Sequence, residues 1–188
     1  MLRKHLATAL MRWAMLFTAM APMPAALAAD ATVIADGQHD FDFNLGDWKV
    51  RAKYRHEAPD GTVTWTDITG TAKVTKIWDG KAQLEEINAD GGSSHFQVVV
   101  LFLYNPQTHE WNKSLAASSD GQLGTPMFGG FKDGVAAFYD QELYHGKTAL
   151  MRTSWSGIKA NSEHAEDAFS YDAGKSWTPY FVLDFTRR

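Results

Sequence analysis

The sequence predicts an all-β fold, an up-and-down antiparallel β-barrel of about ten strands. Three observations predict it. From Trp48 on, apolar Trp48, Val50, Ala52 and Tyr54 alternate with Lys49, Arg51, Lys53 and Arg55, the period of a strand with one dry and one wet face. The same alternation recurs along the chain, with turn signals at short, regular intervals. Glycine and β-branched residues interrupt every window that could be helical. No long crossover segment is visible, so consecutive hairpins favour a barrel over a Greek-key sandwich. Closure also removes the exposed edges that a sheet must otherwise defend.

The elements follow in order. A first strand over 48–56 is closed by Pro59-Asp60-Gly61, and a second starts at Thr62 and alternates through Val63 and Trp65. A third covers 69–78 and ends at Asp79-Gly80, and a fourth covers 82–88 and ends at Asp90-Gly91-Gly92. The fifth, 96–104, is apolar on both faces except for Gln97, and Asn105-Pro106-Gln107-Thr108 turns the chain into a sixth through Trp111. A seventh strand over 127–131 meets Asp133-Gly134, a strong hairpin signal. The eighth, 135–144, is closed by His145-Gly146, and strands over 149–155, 163–171 and 177–185 complete the set.

Ahead of these strands, residues 1–28 read as a secretory signal peptide. Arg3, Lys4 and Arg12 precede an apolar run over 13–21, and Ala26-Leu27-Ala28 supplies the cleavage site. The run is shorter than the about 20 residues that span a bilayer. Residues 29–38 then form a flexible lead-in, and 39–188 a single barrel domain. The expected location is periplasmic or secreted. Cleavage would leave 160 residues with 15 Lys and Arg against 22 Asp and Glu, a net charge of −7. That balance argues against nucleic acid and against anionic membrane surfaces as partners, and no stable membrane insertion is expected after cleavage. The chain has no cysteine, which removes disulfides, thiol catalysis and zinc–thiolate sites.

Six tryptophans lie beyond the leader: Trp48, Trp65, Trp78, Trp111, Trp155 and Trp177. Large rings on the inward faces of a barrel either fill its core or line a cavity for a small hydrophobic or aromatic molecule. The lining candidates are Tyr54, Trp65, Phe102, Tyr104, Arg152, Trp155 and Tyr180. On the ninth strand Leu150, Arg152 and Ser154 share a face. Turned inward, Arg152 would anchor a ligand carboxylate by a bidentate bond; turned outward, it would be solvated. The opposition of Gln83, Glu85 and Ile87 to Leu84, Glu86 and Asn88 leaves the same choice for Glu85.

No pair of histidines has H-x-H or H-E-x-x-H spacing, so no metal and no cofactor is predicted. His95 and His164 flank strands near a barrel mouth, where either would serve as proton shuttle or haem ligand. With Glu85 or Glu86 they are the candidate acid–base residues of a barrel enzyme. Ser170 and Asp172 to Trp177 spell S-x-D-x-G-x-x-W, similar to the Asp-box hairpin of sialidase-like propellers. It occurs once, and a propeller needs repeats, so it reads as a structural turn with Asp172 capping amides and Trp177 folded over it. No nucleophile elbow, phosphate loop or dinucleotide fingerprint occurs.

His39-Asp40-Phe41-Asp42-Phe43 with Leu45-Gly46-Asp47-Trp48 resembles the F-D-F-x-x-G-x-W opening of an uncharacterised bacterial family of the DUF1579 type. Tyr104-Asn105-Pro106-Gln107-Thr108 with Trp111 is similar to that family's D-P-x-T-x-x-W turn, with Asn105 in place of Asp. Phe131 to Gly134, Trp155-Ser156, Asp172 to Trp177 and Asp184 to Arg187 continue the likeness. The resemblance implies a calycin-like barrel related in shape to lipocalins and fatty-acid-binding proteins. It implies structural roles for Gly46 and Trp48 at the barrel floor, and no established activity.

The leading expectation is an exported binding protein for a small apolar or amphipathic ligand held inside the barrel. The alternative is a barrel enzyme of hydratase, isomerase, cyclase or lyase type acting on a small aromatic or isoprenoid substrate. A third reading, an assembly partner, would need a broad apolar patch on the outer face.

Overall fold

The computed structural model describes residues 36–188. The expected leader, and all but the last three residues of the expected lead-in, lie outside the described residues. From residue 46 on the chain is nearly all sheet: β1 (Gly46–Glu57), β2 (Val63–Ile77), β3 (Ala82–Gly91), β4 (Ser94–Asn105), β5 (Glu110–Ala117), β6 (Met127–Lys132), β7 (Val135–Tyr144), β8 (Lys147–Lys159), β9 (Ser162–Ser170) and β10 (Thr178–Arg187). Each strand pairs antiparallel with the next, and β1 pairs with β10 to close the barrel. This is the up-and-down topology that the hairpin spacing predicts.

Turn chemistry sets the hairpins. At Asp133-Gly134 and at His145-Gly146 both central residues have positive φ, and Lys132 pairs with Val135, Tyr144 with Lys147. These are two-residue type I′ turns, whose twist matches that of the strands they join. The Asp172 segment is the structural turn expected. Asp172 Oδ1 accepts from the Ser176 amide at 2.9 Å and from the Ser170 hydroxyl at 2.8 Å, and Trp177 lies 4.5 Å over the Arg152 guanidinium.

One element differs from the expectation. The second and third predicted strands are a single strand, β2, paired with β1 without a break from Val63 to Val74. The apolar residues change faces midway. Val63 and Trp65 point outward, whereas Ile68, Ala72 and Val74 point inward and are buried, so the pattern reads as two strands out of phase. Gly70 follows this change on the inward face, where the paired strand β3 comes close: a Cβ there would stand 2.3 Å from the Asn88 carbonyl oxygen.

Pairing carries the inward face around the barrel from Trp48, Val50 and Ala52 on β1 to Ala72, Gly70 and Ile68 on β2, and on to Glu85, Ile87 and Ala89 on β3. One end is plugged. Residues 36–45 run beneath the strands, and Phe41 inserts between Trp111 (5.3 Å), Phe138 (5.1 Å) and Phe102 (6.1 Å). Side chains tie the plug's backbone down: Trp111 Nε1 donates to Gly37 at 2.8 Å, Gln83 Nε2 to Phe41 at 3.1 Å, Trp48 Nε1 to Asn44 at 2.7 Å and Arg187 Nη2 to Phe43 at 2.8 Å. The expected floor role of Trp48 is visible here, with the Arg187 guanidinium stacked 3.8 Å over its ring.

Candidate functional site

The other end of the barrel is hollow. A cavity of about 680 Å³ opens between the Gly92-Ser93 turn, His56 and Thr66. Its walls are mostly apolar: Ile68 from β2, Ile87 and Ala89 from β3, Phe96 and Val98 from β4, Leu183 from β10. The volume lies within the range of sites for small organic molecules (roughly 300–1,000 Å³). Short side chains create it. Ala52, Ala89 and Gly91 occupy inward positions where larger residues would fill the barrel.

A row of polar and aromatic groups crosses one wall. Tyr54 on β1 pairs with Phe181 on β10, Phe181 with Asp167 on β9, and Asp167 with Thr153 on β8. The β10 register shifts between Pro179 and Phe181, and this bulge turns the extra residue, Tyr180, into the cavity. The Thr153 hydroxyl donates to Asp167 Oδ1.

Below the cavity the interior holds ionisable groups. Lys113, 8% exposed, points inward from β5 and sits 5.4 Å over the Trp155 ring. Burial lowers its pKa, opposed by the charges of Asp167, Glu85 and Asp140. Glu85 is 3% exposed, and burial raises its carboxyl to about 7 against the pull of Lys113. Glu163 is raised to about 8, first by burial and then by Glu85; neither of its oxygens has a hydrogen-bond partner. Burial and the neighbouring Glu142 raise Asp140 to about 6. Carboxyls held in this range exchange protons near neutrality.

The candidates named from sequence divide by place. Tyr54 and Tyr180 line the cavity. Phe102, Tyr104 and Trp155 face inward but are packed below it, in the floor cluster around Phe41; Tyr104 donates from its hydroxyl to the Asp36 carbonyl. The remaining expectations are corrected. Trp65 stands opposite outward Arg55 and is 43% exposed. Arg152 is on the outer face, bound to Glu166 at 2.9 Å and stacked on Trp177, so it anchors nothing inside. His95 and His164 are also outside, each facing a directly opposed aspartate, Asp90 and Asp184, at 2.8 Å. Glu86 is exposed, and only Glu85 of that pair is interior. No His–carboxylate pair of the expected kind forms in the barrel among the described residues. No cluster of three or more His, Asp or Glu there is placed to hold a metal. No helix there is long and apolar enough to cross a membrane, which says nothing of a β-barrel.

Sequence reasoning missed Asp167 and Lys113. The signal was present: Lys113 shares its face with Trp111 and Leu115, and Asp167 shares its face with Ala165 and Phe169. A charge inside an apolar period of two marks an inward polar group.

Fold and site together define a calycin-like barrel, a ten-stranded β-cup plugged at one end and hollow at the other. Its architecture is similar to that of the S-type phycobiliprotein lyase CPES from Guillardia theta, with a TM-score of 0.54, 8% sequence identity, and coverage of 79% of this chain and 90% of that one. At that identity the likeness concerns the fold. No family model matches the chain, and no curated protein matches it in sequence.

Proposed function

We propose that this protein binds a small apolar or amphipathic molecule in the open half of its barrel. The observation that carries the reading is the apolar-walled cavity of about 680 Å³ above a buried floor of ionisable groups. The solved neighbour is named as a lyase of phycobiliproteins, and its likeness supports a barrel built around a small molecule. Native mass spectrometry of protein purified from its own host is the direct test, and a co-purifying molecule is the expected result. Filling the cavity gives the complementary one. Ala89 is buried on the inward face, and Ala89→Trp should abolish uptake of an apolar fluorescent probe while the fold survives by circular dichroism. Undiminished uptake would remove the cavity as the binding site.

A catalytic reading has one observation in its favour. Glu85 and Glu163 are buried inside the barrel with carboxyl oxygens that have no hydrogen-bond partner, and burial raises both toward the neutral range that general acid–base work needs. In that reading they, and not His95 or His164, move the proton. Loss of turnover in Glu85→Gln with ligand affinity retained would separate catalysis from binding.

The charge pattern and Ala-x-Ala site of residues 1–28 support export to the periplasm or medium. The mature protein should begin at Ala29 by N-terminal sequencing; an intact leader on the soluble protein would contradict this.

A further inference from the structure

The cavity wall carries a combination that apolar binding alone does not require. Tyr54 and Tyr180 stand nearly perpendicular, at 89° with centroids 6.4 Å apart, and Phe181 closes a third side 6.0 Å from Tyr54 at 64°. All three line the cavity, as does Asp167. Adjacent inward positions on β1, β10 and β9 bring these groups together through the Tyr54–Phe181 and Phe181–Asp167 pairs. Crossed rings beside a carboxylate on one cavity wall suit an alkylated ammonium group: the π faces attract the cation, and the carboxylate neutralises it.

The charges acting on Tyr180 in this corner are acidic, Asp167 from β9 and Glu142 from β7. Below it Lys113 on β5 is the cation, in the field of Asp167, Glu85 and Asp140. Lys113 makes no direct ion pair among the described residues, and Arg152, which could have welcomed an anion, is outside. His56 stands at the rim, bound to Thr66 Oγ1 at 2.9 Å and edge-on to Tyr54. A ligand carboxylate placed here would meet Asp167, since Lys113 is buried below the cavity and is not part of its lining.

Resting on the binding reading above, we propose that the ligand carries a cationic, N-alkylated nitrogen seated against Asp167 between Tyr54, Tyr180 and Phe181, with its apolar body along Ile68, Ile87 and Val98. Titration calorimetry near neutral pH with octyltrimethylammonium, octanol and octanoate, each below its micellar concentration, tests this on the full mature protein. The cation should bind about tenfold or more tighter than octanoate. Asp167→Asn keeps an acceptor for Thr153 and should erase that preference while leaving octanol binding in place. Tyr180→Leu should weaken the cation more than octanol, and supplies the second variant if Asp167→Asn does not fold. Octanoate or octanol binding as tightly as the cation, or a preference that survives both substitutions, overturns the ligand class and leaves the cavity reading intact. Binding of none of the three probes removes both.

Discussion

Trp48→Ala should lower the unfolding free energy by about 3–5 kcal/mol, the usual cost of deleting a buried large ring. Trp48 has no exposed surface. Its ring packs edge-on to Phe185 at 6.2 Å and lies under Arg187 at 3.8 Å, and its Nε1–H caps the Asn44 carbonyl at 2.7 Å. Truncation therefore leaves a void, an unstacked guanidinium and a carbonyl without its donor. Arg187 also holds the plug through Phe43 and Leu45, so the loss spreads into the barrel floor. Against a typical total of roughly 5–15 kcal/mol, the variant should be marginal or unfolded at 37 °C. Urea denaturation checks it, with Trp65→Ala as the control. Trp65 projects from the outer wall, and its removal should cost less than about 1 kcal/mol. Equal losses at the two sites would mean that the floor does not hold the barrel together.

The contrast between these two tryptophans shows what was legible in the chain. Alternation identified the buried face of β1 because charge and apolarity separate cleanly there. On β2 the same logic failed: toward the mouth the inward face holds Thr64 and Thr66 while Trp65 projects outward, so the more hydrophobic face is the wetter one. A barrel with a solvent-connected cavity inverts the usual pattern at its open end. Turn residues fixed the hairpins because Asp-Gly and His-Gly accept positive φ locally. The histidines were misplaced for a different reason. His95 and His164 gain their partners across a strand pair, and register between strands is invisible to a local window. Glu85 and Glu86 are adjacent, so one had to face inward; only the pairing of β3 with β2 and β4 decides which.

The interior carboxyls should make stability fall as pH rises. In the unfolded chain a glutamate loses its proton near pH 4.5, whereas folded Glu85 holds it to about 7 and Glu163 to about 8, in both cases first because burial penalises the charge. Between these limits the folded state binds more protons than the unfolded one, and every step up in pH then costs stability. The contribution is fully present below pH 4.5 and is lost on passing through the folded values, so the decline should run from about pH 5 to pH 8. Asp140, raised to about 6 by burial and Glu142, adds to the early part of the same slope. Asp172 works in the opposite sense: the Ser176 hydrogen bonds hold it down to about 2, so its effect is confined to pH values below its unfolded 3.8 and does not disturb this window. The combined loss between about pH 5 and 8.5 should be on the order of 3 kcal/mol or more, since a tenfold change in a group's proton affinity on folding is worth about 1.4 kcal/mol. Urea titrations at the two pH values measure it directly. Glu85→Gln and Glu163→Gln keep the neutral shape and remove the titration, so each should flatten the slope, and the pair should leave only the early part that belongs to Asp140. Stability that is level or rises across this range would mean that Lys113 and water keep both carboxyls charged, and the floor of the cavity would then be an ion-pair network in place of a store of protons.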